Sequence, residues 1–531
     1  MIQLEVELIE RIRSRKKNEK NFFCSLNIEM SNLLDSEEYQ VKIGSLTPTR
    51  IGGGSYGKVY ESSNNFAVKI QKVVDNVYIR EISILRYLNH INIIKPEGFM
   101  FDPIFREVHF AMKKAECTLS SVIKKCVSID VIVSFAFQLL LAVEYLESNN
   151  IIHRDIKPCN ILVYGDEIKV CDFGLSKYFI DGEKSYVSHT GDVQTIWYRS
   201  PEVSKRGKYD FKADIWSVGA IILELMGNKS FQEKRNGYME FYTKDSDFNN
   251  NEKENVGETE FILSWFSYLV GGASEEIEWL SSIDRKFIRD KSSLNKLCRF
   301  NGHPLVDLGM KLLNWCPTKR LSASEALKHD CFDDLIRPSI SKDIRINNIT
   351  WFDSSVSKLS YINNFHRKIL FEWLWEVCNE YNIIPQMNVI AFALFDLFIS
   401  RRDISVTEVQ LVGISCLSIV DKMMSPSYSF ANTKWSRTTA KTCSCKQVFN
   451  MEQMILNEFN FDLVGIFDHV FKYRLSKCKW DVVCCMLSFD NPISIDVILK
   501  MDINDIIFNI GSSEKSLLVE KSLEVIKSGV M

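Results

Sequence analysis

The chain has 531 residues, and at roughly 150 residues per domain that length points to about three units rather than one compact fold. Lys+Arg 65 against Asp+Glu 68 leaves a formal charge of −3, which argues against electrostatic binding to nucleic acid as the main business of the protein. A hydrophobic content of 46% with 25% charged residues excludes a mostly disordered, collagen-like or coiled-coil chain.

Only 23 Gly and 11 Pro against 34 Phe predict a chain that spends most of its length in helices. Its 15 Cys contain no C-x-x-C pair, so they read as reduced intracellular thiols rather than a disulfide frame or a zinc site. The uncharged apolar stretches 131–143 and 261–274 fall short of the ~20 residues that cross a bilayer, so no membrane partner is expected. Residues 1–20 lack a hydrophobic signal core. The basic run Arg11 to Lys17 reads either as a nuclear address or as a solvated helix face, and the expected location is cytoplasmic or nuclear.

From Leu46 to Ile70 the pattern is short and β-like around the turn signal Asn64-Asn65. Within it, Gly52-Gly53-Gly54-Ser55-Tyr56-Gly57-Lys58-Val59 fits G-x-G-x-x-G-x-V, where missing side chains let backbone N–H groups close over phosphate oxygens. A dinucleotide-binding loop would open a helix at Gly57, yet the following residues are strand-like, so the loop belongs to a hairpin. Ala67-Val68-Lys69-Ile70 then sets an ammonium on the next strand, and Glu81, in a helix over 78–88, can hold that lysine by a charge-assisted bond. From about Ser128 a helical period takes over, through Val131, Phe135, Leu139 and Ala142.

His153-Arg154-Asp155-Ile156-Lys157-Pro158-Cys159-Asn160 supplies a carboxylate to orient and deprotonate a hydroxyl, a lysine to steady a phosphoryl group and an amide oxygen for a metal. Asp172-Phe173-Gly174 supplies a second metal ligand, and Ser200-Pro201-Glu202 closes the segment. In this order and spacing the blocks resemble the eukaryotic protein kinase family, over about Leu46 to Asp333 and including Asp214-Ile215-Trp216 and Arg320. Ile79-Arg80-Glu81-Ile82-Ser83 and Thr195-Ile196-Trp197-Tyr198-Arg199 look like the cyclin-dependent kinase group, and Lys157-Pro158 is the serine/threonine version of the catalytic loop.

The resemblance implies ATP and Mg²⁺ as cofactors and protein Ser/Thr acceptors as substrates. Asp155 and Lys157 would be catalytic, and Asn160 and Asp172 would hold metal. Gly52, Gly53, Gly54, Ser55, Tyr56, Gly57, Val59, Ala67, Lys69, Glu81, Met112 and Ala115 would form the ATP site. Thr190 stands at the activating phosphorylation site, where a phosphate would meet Arg80, Arg154 and Lys177. Ser55 and Tyr56 stand where relatives carry inhibitory phosphates, or are a plain loop tip.

Three positions depart from the family pattern. Lys177 replaces an arginine and loses its bidentate fork. Gln194 replaces a valine in the loop that, with Trp197 and Arg199, reads the residue after the acceptor, which weakens an expected preference for proline. The hinge Met112-Lys113-Lys114-Ala115 has lysine where an acid is usual. None of these removes a catalytic group.

Residues 245–260 are almost without apolar content and read as a solvated insertion, and 334–359 read as a linker. A second helical unit follows. His366 to Val377 carries apolar residues at 369, 370, 373, 374 and 377, followed by Ala391 to Ser400, Gln410 to Ser415, Asp421-Lys422, Met451 to Leu456 and Phe461-Asp462-Leu463. This succession resembles a cyclin box, with Arg367 and Asp396 as its internal ion pair, Leu411 in its core, and Lys422 and Glu452 as the residues that contact the kinase. Trp373 and Gln410 match part of its substrate-docking groove, while His366 and Lys368 do not.

The expected fold class is therefore a bilobal α+β kinase, with a β-rich N-lobe and a helical C-lobe, followed by an all-α cyclin-like domain. Its expected divisions are an extension 1–45, kinase 46–333, linker 334–359, cyclin box 360–465 and a truncated second cyclin-like segment 466–531. The expected function is a serine/threonine kinase activated by its own cyclin-like unit, in cis or across to a neighbouring chain. The alternatives are a non-catalytic adaptor that captures a separate kinase and a helical bundle of transcription-factor type, the latter disfavoured by the charge balance.

Overall fold

The computed structural model describes residues 39, 42–54, 57–72, 77–102, 107–125, 127–178, 185–186, 196–204, 208–227, 265–267, 269–271, 299–300, 302–335, 362, 364–424, 431–439 and 442–471. Ser55, Tyr56, Thr190, Gln194, the segment 245–260, all but the start of the linker and the chain beyond 471 lie outside the described residues.

Alternation of side chains along a strand explains the N-terminal lobe. Strands β1 (Leu46–Gly54), β2 (Gly57–Ser62), β3 (Phe66–Lys72), β4 (Gly98–Asp102) and β5 (Glu107–Lys113) form an antiparallel sheet in the order β1-β2-β3-β5-β4. On β3, Ala67, Lys69 and Gln71 alternate with Phe66, Val68 and Ile70. Ala67 joins the main core with Ile79 and Ile82 of helix α1 (Val77–Tyr87). Val68 and Ala111 instead form a small second core with Tyr39 and Ile43, flanked by Phe66, Ile70 and Met100. Tyr39 and Ile43, which precede the expected boundary at residue 46, thus cover an apolar face of the sheet. Lys42 ties that cover down, through the carboxylate of Glu97 at 3.2 Å and its carbonyl oxygen at 2.6 Å.

The helical lobe is built on α2 (Ile129–Ser148), α3 (Lys212–Gly227) and α4 (Pro304–Leu312). Ser128 caps α2 by accepting from the Val131 N–H. At 20 residues α2 is long and apolar enough by composition to cross a bilayer, a length that the uncharged run alone did not reach. Ile132, Phe135, Leu139, Leu140 and Val143 are buried in the lobe, so its apolar character is that of a core helix. Arg320 and Glu202 meet at 2.9 and 3.1 Å with both side chains almost wholly buried, and the guanidinium lies over Trp216. Between the lobes, strand β6 (Cys117–Thr118) pairs with β8 (Ile161–Tyr164), which pairs with β9 (Glu167–Val170), while β7 (Ile151–Ile152) pairs with β10 (Lys177–Tyr178).

The second unit contains α5 (Asn364–Glu380), α6 (Pro385–Arg401), α7 (Val409–Met424), α8 (Ala431–Thr438), α9 (Cys445–Glu458) and α10 (Val464–Phe471). Val389 to Ile399 of α6 are buried all round, as expected of a central helix. Asp396 within that run would be costly alone, and Arg367 satisfies it through Nε to Oδ1 at 2.8 Å and a second bond to Oδ2. Capping boxes at Ser405/Glu408 and Ser444/Gln447 start the turn before α7 and the helix α9. Buried apolar residues of the two kinase lobes and of this unit form one contiguous cluster.

Candidate active site and its contact with the second helical unit

The nucleotide-side loop joins β1 to β2. A Cβ at Gly57 would lie 2.7 Å from the Ile70 carbonyl oxygen, so only glycine lets β2 run this close to β3. Register across the sheet pairs Val59 with Lys69 and Ala67 with Met112, which lines up Val59, Ala67 and Met112 around one cleft. Ala115 lies just beyond β5. The unexpected hinge lysine Lys114 is held by Glu61 of β2 at 2.6 Å, and the Tyr164 hydroxyl donates to the Lys113 carbonyl at 2.8 Å. The hinge is thus braced on both sides by residues that carry no family signature.

Lys69 Nζ donates to Glu81 Oε1 and Oε2 at 2.7 and 2.8 Å and to Asp172 Oδ1 at 2.7 Å. Burial works against the ammonium, but the Asp172 and Glu81 carboxylates outweigh it and hold its pKa above the ordinary lysine value. Burial also raises the Glu81 carboxyl, with Lys69 opposing that shift. Gln71, buried on β3, donates a further hydrogen bond to Glu81 Oε2. The sequence carried no sign of this role, which depends only on Gln71 and Lys69 sharing a strand face.

In the catalytic loop, Asp155 Oδ2 accepts from Lys157 Nζ at 2.8 Å and from Asn160 Nδ2 at 3.0 Å. Burial raises the Asp155 pKa, with Lys157 as the main opposing influence. The Asn160 carbonyl accepts from the Cys171 N–H at 2.9 Å, so Asn160 and Asp172 lie at the ends of adjoining segments. Arg154 and Asp172 both sit in the left-handed region, at φ 67° and 66°. Such strain at non-glycine residues persists where the surroundings over-determine it. Here the Asp214 carboxylate accepts the N–H groups of His153 and Arg154 at 2.7 and 2.9 Å, and Arg154 Nε donates to the Leu175 carbonyl at 2.6 Å. Asp214, wholly buried, is pushed up to about 6, and burial pushes His153 down to about 4. A Cβ at Gly174 would meet Val77 of α1 at 2.7 Å, which explains the glycine after Phe173.

The donor set fits a hard divalent cation. Asn160 uses its amide nitrogen on Asp155, which leaves Oδ1, among the described residues, a thiol contact at 3.9 Å, and Asp172 follows Cys171, whose N–H meets the Asn160 carbonyl. Amide and carboxylate oxygens are what Mg²⁺ takes, with phosphate oxygens and water completing its shell.

The outer face of α1 meets the second helical unit. Arg80, one residue before Glu81, donates through Nε and Nη2 to the carbonyls of Met423 (3.3 Å) and Lys422 (2.8 Å), and through Nη1 to the Gly174 carbonyl (3.2 Å). Lys422 and Glu452, expected to contact the kinase, lie beside α1. These side chains pair with each other at 2.6 Å, almost fully buried, and the Lys422 carbonyl accepts from Arg80 of the kinase helix. Tyr78 receives a hydrogen bond from Gln453 Nε2 at 2.7 Å and meets the Phe461 ring edge-on. Tyr178 of β10 donates to Asp468 at 3.1 Å and packs near Phe467. Trp197, expected to read the substrate, is buried edge-on against Trp265 and braces its loop from within. The groove residues Trp373 and Gln410 lie on α5 and α7, with the Gln410 amide oxygen accepting from Thr442 Oγ1 at 3.0 Å and Ile369 well exposed on α5.

A two-lobed fold with a lysine–glutamate pair over a carboxylate-bearing catalytic loop defines a protein kinase, and comparison with known proteins agrees. The protein kinase domain model matches residues 47–332, more than half of the chain, and the cyclin N-terminal domain model matches 331–464. Mitogen-activated protein kinase 14 of Arabidopsis thaliana is 30% identical over 356 residues, covering 61% of this chain and 87% of that protein. Mitogen-activated protein kinase 4 of Oryza sativa subsp. japonica is 32% identical over 316 residues, covering 54% and 78%. Extracellular signal-regulated kinase 1 of Dictyostelium discoideum is 29% identical over 343 residues, covering 59% and 60%. The chain belongs to the protein kinase family, as a serine/threonine kinase that carries a cyclin domain.

Proposed function

We propose that this chain transfers phosphate from ATP with Mg²⁺ to Ser/Thr hydroxyls, in the manner of a cyclin-dependent kinase, and that its own cyclin domain is the activator. The observation that carries the reading is the adjacency of Arg80 and Glu81. Glu81 faces inward to Lys69, while Arg80 faces outward to the Lys422 and Met423 carbonyls, so one helix links activator and cleft. The similar proteins named above are mitogen-activated protein kinases, so the likeness to the cyclin-dependent group rests on the helix motif and the cyclin contact.

In this reading Lys69 steadies the nucleotide phosphates, kept in place by Glu81. Asn160 and Asp172 hold the metal, which when bound neutralises phosphate charge. Asp155, with Oδ2 committed to Lys157 and Asn160, turns Oδ1 to the acceptor hydroxyl and takes its proton, while Lys157 steadies the transferring group. Thr190 would carry an activating phosphate, and a preference for proline after the acceptor belongs to the same proposal. An intracellular setting fits the described cysteines, which are all free thiols.

The test keeps the chain whole. Phe461→Asp with Phe467→Asp places charge where the cyclin domain meets Tyr78 and Tyr178. Phosphotransfer should fall on the order of 10- to 100-fold, the range of a typical coupling between sites. Undiminished activity would sink self-activation and leave an independent kinase. A peptide array with ATP settles the proline preference.

A further inference from the structure

Tyr78 is the least expected residue of the interface. It is buried to 1% exposure in the first turn of α1, with its ring edge-on to Phe461 at 6.3 Å between centroids. Its hydroxyl takes the Gln453 amide at 2.7 Å, beside the buried Glu452 carboxylate, whose Oε2 has no hydrogen-bond partner among the described residues. Burial and the Glu452 charge both hold the phenol neutral.

Phe461 supplies a second, independent observation. Helix α9 ends with Asn460 at φ 49° and Phe461 at φ 59°, and the Phe461 N–H closes back on the Leu456 carbonyl at 2.8 Å. Asn at the first left-handed position follows the usual helix-ending motif. A bulky aromatic residue at the second is uncommon and costs conformational energy. That backbone nevertheless presents the Phe461 ring to Tyr78.

We propose that Tyr78 and Gln453 form a matched pair that restricts this kinase to a cyclin domain with an amide donor at that position, namely its own. The argument is one of exclusion as much as attraction. A partner with an apolar side chain in place of Gln453 would bury the Tyr78 hydroxyl without a donor, and a partner that fills the Phe461 space differently would collide with the ring. The pairing is neutral, so its selectivity resists salt in a way that a surface ion pair would not. This rests on the reading of the cyclin domain as activator, and the readout is chosen to separate the two.

The experiment uses the full-length protein with Tyr78→Phe, Gln453→Leu and the double substitution. Amide hydrogen exchange across Val77–Tyr87 reports docking, phosphotransfer reports activation, and the thermal midpoint checks the fold. Gln453→Leu, which imitates a foreign partner, should raise exchange in α1 about tenfold, and Tyr78→Phe by a smaller factor because Gln453 is only half-buried. The double variant should return to within about threefold of the parent, since both polar groups have left together. Single effects that multiply in the double variant, or singles that leave exchange unchanged, would overturn the matched pair. Coupled exchange with unaltered phosphotransfer would uphold the pair and remove only the activator reading.

Discussion

The catalytic cleft and the kinase–cyclin contact share one helix and are held by different physics. Inside, charge dominates: Lys69 is shared between Glu81 and Asp172, and Lys157 and Asn160 converge on Asp155. Outside, Arg80 meets main-chain carbonyls, and the other described contacts are aromatic rings, the Gln453 amide and the Asp468 carboxylate. The difference teaches where each surface tolerates change. A cleft that needs a given charge at a given place accepts almost no substitution, whereas a carbonyl is offered by any residue, so the partner's side chains at 422 and 423 are free to serve its own core. Lys422 does so by pairing with Glu452.

The contrast breaks most sharply at Asp155. Asp155→Asn should lower single-turnover phosphotransfer on the order of 10²- to 10⁴-fold with the cyclin contact intact, and full activity would place the base elsewhere. Arg80→Met should come next, because it leaves the Gly174, Lys422 and Met423 carbonyls without their donor. A loss on the order of 10- to 100-fold, with Arg80→Lys only partly restoring it for want of the planar fork, would separate geometry from charge. Gln71→Leu removes one donor from Glu81 and should cost about tenfold in kcat/KM with an almost unchanged unfolding midpoint. A large fall in stability instead would make Gln71 a packing residue.

The smallest expected effect concerns pH. Asp214, near 6 in the fold against an ordinary 3.8, favours the folded state below about 4 and loses that contribution as pH rises through 6. His153, near 4 against 6.5, does the reverse, contributing above 6.5 and losing it as pH falls through 4. Across that window the two oppose each other. Asp214→Asn should unmask His153, so urea unfolding should give a free energy that climbs with pH more steeply than the parent's by about 1.4 kcal/mol per unit. Parallel profiles would show that the Asp214 proton is not linked to folding.

How much was legible follows the same division. Lys69, Glu81, Asp155, Lys157, Asn160 and Asp172 were readable because phosphoryl transfer demands their side-chain types at those spacings. Arg367 and Asp396 were readable because a lone carboxylate in an apolar helix must find a cation. Asp214 stood in a recognised motif, yet its hold on the strained His153-Arg154 backbone is visible only in space. Gln71, Tyr164, Tyr78 and Gln453 gave no signal, since an amide or phenol on an amphipathic element looks like ordinary surface until its neighbour is known. Tyr39 and Ile43 fall in the expected extension, and that they cover a face of the sheet is visible only in space.

By itself, then, the sequence determined a kinase joined to a cyclin domain and the charged groups of its cleft, because charge placement is written in residue identity. Only the tertiary structure decided that Arg80 is met by carbonyls, that Lys422 and Glu452 pair with each other, that Trp197 is internal, and that α1 joins the cleft to the cyclin contact. Each of these depends on main-chain atoms, or on which residues the fold makes neighbours, and neither is encoded at any single position.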